Sequence, residues 1–524
     1  MRLALVFAVL VSTAEAAGRP DEQLQELIDS GSLSDLYWPN FTPLQPDVTR
    51  FYELNGYQLA WVSRVTRSGT PTLQAQALIQ VLENATFKGL DPRDYDGARW
   101  SASDDGPQRF DLALTISAMR YISDVSSGKV NPKVFSFGLN FDQKKCDLVA
   151  TLRGLMNARD PAAELDRLEP PFESYWRTEK ALAQYLALAR EDPGAGADRA
   201  ERLLRLVGDY WPNDTLADAL KRFQMRHGLD PDGRLGKGTL KQLNTPLARR
   251  VRQLDLVLER WRWVPHSFSR PPIVVNIPEF RLRAYNDRYQ PELEMKVVVG
   301  KAYRHKTPVF SNQMTHVIFR PYWDVPLSIQ RAELAPKIAK DPAYLAENEY
   351  EVVDSRRHVV SGDAVTPEIL AQLRSGKLFI RQIPGGKNAL GPVKFLFPNE
   401  YNVYLHGTPA KSLFLKSRRD FSHGCIRVEK PEELAQWVLR GVPGWDMDCI
   451  REAENGPDTR RVNLDEPIPV LIVYGTAVVR EGGEVFFFDD IYGYDAALEL
   501  LLDHGYPYSG WQPTSVARDP HPRE

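Results

Sequence analysis

Cysteine is scarce, with three in 524 residues. That excludes a disulfide-stapled scaffold and a Cys-rich metal protein. An excess of either charge is missing too: 66 Lys and Arg stand against 69 Asp and Glu, for a net charge of −3. A nucleic-acid partner has no compositional support, because phosphate binding wants a basic excess or a basic face. Long apolar runs are absent as well. Leu3 to Val11 is too short to span a bilayer, which needs ~20 apolar residues, and no later segment qualifies. What is present is ordinary globular composition, 43% hydrophobic and 26% charged, which excludes disorder throughout. At a prior of about 150 residues per domain, the length suggests three or four domains. The 11 Trp, 21 Tyr and 22 Phe supply several cores and some sugar- or peptide-facing surface.

The N-terminus reads as an export signal over residues 1–16. Met1-Arg2 is a basic start, the apolar run follows, and Ala14-Glu15-Ala16 has the small-x-small pattern of a cleavage site. The alternative is an ordinary buried N-terminal helix. No cysteine follows the signal to carry a lipid.

Residues 17–194 read as a helical scaffold, as in Leu73 to Leu82 and Leu112 to Met119, with turns such as Gly89-Leu90-Asp91-Pro92. Glu191 to Gly196 is polar and rich in Pro and Gly, a linker candidate. Residues 195–250 form a compact helical module. Its apolar stripes are Leu203, Leu204, Leu206 and Val207, then Leu216, Leu220 and Phe223, with a Gly/Asp/Pro turn over Gly228 to Gly233. From Pro271 the period changes to that of strands, as in Phe280 to Tyr285 and Leu293 to Val297. The expectation is a multidomain α+β chain: helical scaffold, small three-helix module, and a mainly β domain over residues 251–480, as a sandwich or barrel with the sandwich preferred. Helical patterns at Ile329 to Leu345 and Pro367 to Leu373 predict a helical cap inserted at about 327–376. Residues 481–524 are assigned to a C-terminal extension.

The chemistry concentrates in one stretch. His406-Gly407-Thr408 closes a strand, and Phe421-Ser422-His423-Gly424-Cys425-Ile426-Arg427 follows a loop carrying Lys411, Lys416, Arg418 and Arg419. A thiol is a poor nucleophile until ionised, and an imidazole can accept its proton. Gly424 lets the backbone turn sharply, so that amides around Cys425 converge on a developing oxyanion. Arg427 and the basic loop would stabilise a thiolate and attract carboxylates. Alternatives remain open at this point: His423 as the base, a zinc site from His406, His423 and Cys425, or a Cys425–Cys449 disulfide that leaves Cys146 odd. Cys146 and Cys449 read as bystanders, and His227, His305 and His316 as structural or exposed. A papain-like peptidase would place its Cys before its His, the reverse of the order here.

Two resemblances follow from these residues. Ala219 to Leu229, then Asp232-Gly233 and Gly238 to Asn244, resemble a peptidoglycan-binding domain of the three-helix type. His406, a gap of 15 residues, then Ser422-His423-Gly424-Cys425 with Arg427 resemble the active-site signature of YkuD-type L,D-transpeptidases. Pro321 to Ile329, Ile383 to Gly391, Tyr404 to Thr408, and the N-terminal Phe51-Tyr52 and Ala60-Trp61-Val62 resemble the larger, periplasmic branch of that family. Asp324 and Leu327 depart from that branch's usual Asn and Pro.

The resemblance implies Cys425 as the acylated nucleophile and His406 as base and acid. Gly407 would orient the imidazole through its carbonyl, and the amides of His423, Gly424 and Cys425 would form the oxyanion hole. Arg427, Tyr404 and Trp323 would bind substrate. It implies 3→3 crosslinking of peptidoglycan stems through a thioester with loss of D-Ala, with no cofactor and no metal. The alternatives are L,D-carboxypeptidation and a non-catalytic wall-binding scaffold. Expected partners are stem peptides, glycan and other cell-wall enzymes, in the periplasm.

Overall fold

The computed structural model describes residues 21–63, 70–96, 100, 106–139, 146–194, 198–302, 305–361 and 365–506. The expected signal peptide lies outside the described residues. The N-terminal helices include Glu22–Asp29, Gln45–Leu54, Leu73–Glu83, Pro107–Ser127, Leu148–Met156 and Glu173–Arg190. Pro107–Ser127 is their axis, buried on every side from Asp111 to Ser127. A buried carboxylate needs partners. Asp111 accepts from the Tyr52 hydroxyl and the Trp61 amide, each at 2.7 Å.

The next helices, Arg199–Leu206, Leu216–Arg226 and Lys237–Leu243, share a core through Leu203, Leu204, Ala219, Leu220, Phe223 and Leu243. Thr215 and Asp218 close a capping box at the second helix. The buried Gln224 amide donates to Asp232 at 2.7 Å and to Thr239 at 3.0 Å, tying the predicted turn to the helix after it. The expected boundary at 250/251 falls inside helix Leu247–Trp261. That helix packs along Glu173–Arg190. Its buried Glu259 accepts the Lys129 and Val130 amides at 2.6 and 2.9 Å, so it belongs to both sides of the boundary.

The strands are β1 (Ile273–Asn276), β2 (Arg281–Tyr285), β3 (Pro291–Gly300), β4 (Phe310–Phe319), β5 (Trp323–Asp324), β6 (Tyr350–Val353), β7 (Val359–Ser361), β8 (Phe379–Gln382), β9 (Val393–Leu396), β10 (Leu405–His406), β11 (Asp420–Ser422), β12 (Ile426–Val428), β13 (Arg460–Val473), β14 (Ala477–Val479) and β15 (Val485–Phe487). One sheet runs β11-β3-β12-β10-β9-β4-β13-β1-β2, and β2 also pairs with β3. The sheet therefore closes on itself as a barrel, not the expected sandwich. The cause is the length of β3: its first half pairs with β2 while its second half pairs with β12 and β11. Inside the ring lie Val297, Val317, Phe319, Phe395, Leu405, Ile426, Val428 and Ile472. Each fully buried side chain of this size stabilises the fold by ~1.5–3 kcal/mol.

The inserted cap is not helical throughout. Tyr350-Glu351-Val352-Val353, buried except at Glu351, pairs with β8, which gives a four-stranded sheet of order β5-β8-β6-β7. Helices Ala335–Lys340 and Pro367–Ser375 and a π-turn, Gln330–Leu334, pack on it around Leu334, Ile338, Leu345, Val352, Leu373 and Ile380. The expected extension from 481 also merges with its neighbours. The β14–β15 hairpin straddles 480/481, and Tyr492 and Leu498 join the barrel core. Among the described residues no helix is long and apolar enough to cross a membrane.

Candidate active site

Strand register builds the site on the outer face of the barrel. Leu405, Phe395 and Ile426 point inward, so their neighbours His406, Lys394 and Arg427 point outward. His406 stands opposite Lys394 on β9 and opposite Arg427 on β12. One row away, the Ile426 amide donates to the Tyr404 carbonyl at 3.1 Å. With a side-chain period of two, Tyr404 and Cys425 share the face of His406 and Arg427. Parallel pairing of two short strands thus sets Cys425 and His406 on one face in neighbouring rows, across a long excursion of the chain.

His406 is buried, and its Nδ1 meets the Gly407 carbonyl at 2.6 Å. A carbonyl only accepts, so Nδ1 carries the proton and Nε2 keeps the lone pair. Burial pushes the imidazole down to about 3, with Arg427 and Lys394 adding to the effect and the carbonyls of Gly407 and Leu390 opposing it. The segment over the ring is pinned by buried Asn388. Its Nδ2 donates to Pro321 and Ile383 carbonyls at 3.0 and 2.9 Å, and its Oδ1 accepts from the Leu390 amide at 2.8 Å. Gly391 then passes so close that a Cβ there would stand 2.6 Å from the Thr408 nitrogen, and its φ is +63°.

Cys425 is half-buried, with Sγ 3.6 Å from the Asn402 carbonyl. Burial raises its thiol; the Tyr404 amide and hydroxyl, Lys394 and Arg427 act the other way. The Tyr404 side chain interacts with both Cys425 and Trp323. Lys394 Nζ stands 3.9 Å from the centroid of the Tyr404 ring. Tyr404, expected to hold substrate, thus lies beside the sulfur, with Trp323 next to it. The resting pair is a neutral thiol and a neutral imidazole.

The turn before the sulfur is fixed by hydroxyls. Thr307 donates to the Gly424 carbonyl at 2.7 Å, and Ser422 Oγ donates to the Cys425 carbonyl at 2.6 Å. Gly424 sits at φ +120°, a conformation that favours glycine. Its amide already donates to Ser422 Oγ at 3.1 Å. This amide, expected to serve an oxyanion, is engaged by Ser422 in the structure. The turn's other amides, those of His423 and Cys425, are its remaining candidate donors. The His423 side chain reaches the cap, with Nε2 2.6 Å from Glu333 Oε1.

Two of the four cations of the basic loop are engaged elsewhere. Arg418 pairs with Asp420 at 2.7 Å. Arg419 is buried and donates to the carbonyls of Val297, Ser417 and Phe280. The cations beside Cys425 are Arg427 and Lys394. Lys394 went unnoticed in the sequence, although the alternation Val393-Lys394-Phe395 carries the signal. Glu333 comes from 90 residues upstream of His423, where no local pattern marks it. His227 is buried in the helical module, His316 lies on β4, and His305 has its ring 4.7 Å from that of His423. All three cysteines are free, so the Cys425–Cys449 disulfide does not form. Among the described residues no three His, Cys, Asp or Glu converge as metal ligands.

Comparison with known proteins agrees with this geometry. Residues 270–450 match the family model of the L,D-transpeptidase catalytic domain (YkuD), residues 46–182 that of the scaffold domain, and residues 212–243 a model described as "Putative peptidoglycan binding domain". A Haemophilus influenzae protein named "Putative L,D-transpeptidase" is 32% identical over 250 residues. The match covers 48% of this chain and 49% of that protein, so the chain spans about half the length of the curated relative it matches. The chain carries a YkuD-type L,D-transpeptidase catalytic domain, preceded by a scaffold domain and a peptidoglycan-binding domain.

Proposed function

We propose that the protein forms 3→3 crosslinks in peptidoglycan through a thioester on Cys425, acting in the periplasm after export directed by residues 1–16. The observation that carries the reading is the pairing of β10 with β12, which sets Cys425 and His406 on one face, with His406 Nδ1 held by Gly407. Nε2 of His406 takes the thiol proton as Sγ attacks the carbonyl at the L-centre of a meso-diaminopimelate–D-Ala bond. The thiolate forming there gains a hydrogen bond from Tyr404 and the charges of Lys394 and Arg427. Its negative charge offsets the two cations that keep the imidazole neutral at rest, so the imidazolium is stabilised as the proton moves. The oxyanion takes the amides of His423 and Cys425. His406 returns the proton to the departing D-Ala nitrogen, the C–N bond breaks, and a thioester remains. A diaminopimelate amine of a second stem resolves it; water in that place gives L,D-carboxypeptidation.

A cleft of about 790 Å³ opens between the three-helix module and the barrel, walled by Trp211, Arg222, Met225, Arg281, Lys416 and Arg480 among others. Its wall includes residues 415–419, which lead into β11 and the catalytic turn, and this supports glycan held by the module while stems reach Cys425. The test is mass spectrometry of muropeptides after incubation with disaccharide-tetrapeptide. A dimer lacking one D-Ala supports crosslinking, tripeptide alone means trimming, and unchanged substrate overturns the catalytic reading.

A further inference from the structure

The peptide group between Gly424 and Cys425 carries a fastened carbonyl on one side and a proposed oxyanion donor on the other. A trans peptide is planar, so its C=O and N–H point opposite ways. Whatever holds the Gly424 carbonyl therefore aims the Cys425 amide. Packing does not do it: a Cβ at Gly424 would meet nothing closer than the Lys306 carbonyl at 3.9 Å. Glycine also leaves the plane that follows it free to swing. The restraint is Thr307, fully buried, whose Oγ1 donates to the Gly424 carbonyl at 2.7 Å. The same Oγ1 accepts from the Gly300 amide at 2.9 Å, which leaves its single proton for that carbonyl.

Thr307 is held in turn from the C-terminal side of the chain. Its amide donates at 3.1 Å to the hydroxyl of Tyr492, and that hydroxyl donates at 2.6 Å to the Gly300 carbonyl. Lys306 Nζ reaches the Tyr492 carbonyl at 2.8 Å. Tyr492 is itself buried and anchored. Its amide donates to the Tyr474 hydroxyl at 2.9 Å, which donates to Asp490 at 2.6 Å. Hydrogen bonds thus run from Asp490 through Tyr474, Tyr492 and Thr307 to the peptide group before the sulfur. Apolar side chains could fill this corner, but they would direct no peptide plane. A fully satisfied polar network rigidifies the groups it joins. Tyr492 lies beyond residue 450, where the match to the catalytic-domain model ends.

Resting on the transpeptidase reading above, we propose that Tyr492 of the C-terminal segment and Thr307 are positioning residues that aim the Cys425 amide at the oxyanion of the acylation step. Neither touches the reacting atoms. Thr307 sets the direction of the amide, and Tyr492 sets Thr307. The catalytic turn is then completed by a part of the chain outside the matched domain.

The experiment uses the full chain and compares two reactions of the same sulfur. Acylation by disaccharide-tetrapeptide, followed by intact-protein mass spectrometry, passes through an oxyanion. Alkylation by iodoacetamide, followed on the peptide containing Cys425, needs the thiolate but forms no oxyanion. Thr307→Val keeps the shape and loses the hydroxyl. Its saturating acylation rate should fall ~10–10²-fold, at or below the effect of deleting an oxyanion donor outright. The half-saturating concentration should stay within about twofold, because the interaction is made in the transition state. Alkylation should keep the wild-type rate and pH profile. Thr307→Ser, which retains the hydroxyl, should restore most of the acylation rate. Tyr492→Phe should shift acylation in the same direction by a smaller factor, again with alkylation unchanged, and it decides alone where Thr307→Val does not fold. Wild-type acylation in Tyr492→Phe overturns the role of the C-terminal segment. Parallel loss of acylation and alkylation overturns the proposal as a whole, since it would mean that the sulfur has moved. Absence of acyl-enzyme in the wild type is a different failure, because it overturns the transpeptidase reading itself.

Discussion

Burial raises the Cys425 thiol and lowers the His406 imidazole, and both shifts favour the neutral forms. Cys425→Ser and Cys425→Ala should therefore abolish crosslinked product, while Cys146→Ala and Cys449→Ala retain it; muropeptide analysis decides, and an active Cys425→Ala enzyme would remove the mechanism. His406→Ala should slow acylation by ~10²–10⁴-fold. The depressed imidazole also has a thermodynamic signature. Its ordinary value is 6.5 and its folded value about 3, so between them the unfolded chain holds a proton that the folded chain lacks. Stability from this group is complete above 6.5 and is lost as pH falls toward 3, at up to ~1.4 kcal/mol per pH unit. Urea unfolding from neutral pH down to about pH 4 should show a shallower loss in His406→Gln than in wild type. Both residues stand out in the sequence as a local His–Cys pattern, and their roles as nucleophile and base belong to the proposed function. Lys394 was written there as an alternation, but only the register of β9 against β10 turns it toward the sulfur.

Two elements hold the imidazole and guard the sulfur, and each can be perturbed alone. The segment pinned by Asn388 runs over His406 and tolerates no side chain at Gly391, whose φ is positive and whose Cβ would meet the Thr408 backbone. Gly391→Ala should lower the thermal midpoint, at a cost of ~1–3 kcal/mol from backbone strain alone, and should slow acylation by tilting the ring. A Gly391→Ala enzyme with wild-type stability and rate would show that the close approach relaxes freely. The cap has its own core around Leu334, Ile338, Val352 and Ile380. Replacing residues 327–376 by a Gly/Ser linker should therefore leave the barrel folded and acylation partly intact. The product ratio should shift from dimer toward hydrolysed tripeptide, and a folded variant with an unchanged ratio would mean that the cap does not guide the acceptor. The helices of the cap were readable from period, whereas β6 and β7 were not. Tyr350-Glu351-Val352-Val353 is too short to call a strand until β8 lies beside it. For the same reason the ring could not be told from a sandwich: alternation reports two faces, and closure depends on which strand β3 meets at each half.

At the scale of the whole molecule the expected boundaries dissolve. Val130, Phe137 and Leu139 of the scaffold share one core with Trp263 of the connecting helix and Phe310 of the barrel, and Gly138 bridges Phe310. Glu259 fastens the same junction. Glu259→Ala would leave the buried Lys129 and Val130 amides without acceptors, at ~1–3 kcal/mol for each. Calorimetry should show the scaffold and barrel transitions moving down together; a shift confined to one transition would mean that the junction is not shared. Such joints escape a linear reading because composition changes at linkers, while cores merge through residues that look ordinary on either side.

The closed ring also dictates when the protein can come into being. β1 pairs in parallel with β13, at opposite ends of the barrel's sequence, and β13 also carries the longest pairing with β4. Contacts so distant along the chain form slowly, since loop closure must precede any gain from them. Until β13 arrives, β1 and β4 offer open edges that invite pairing with other chains. A chain cut after helix Met447–Asn455 would still contain His406 and Cys425, yet it would meet its neighbours before it met itself, and aggregate with its chemistry unassembled.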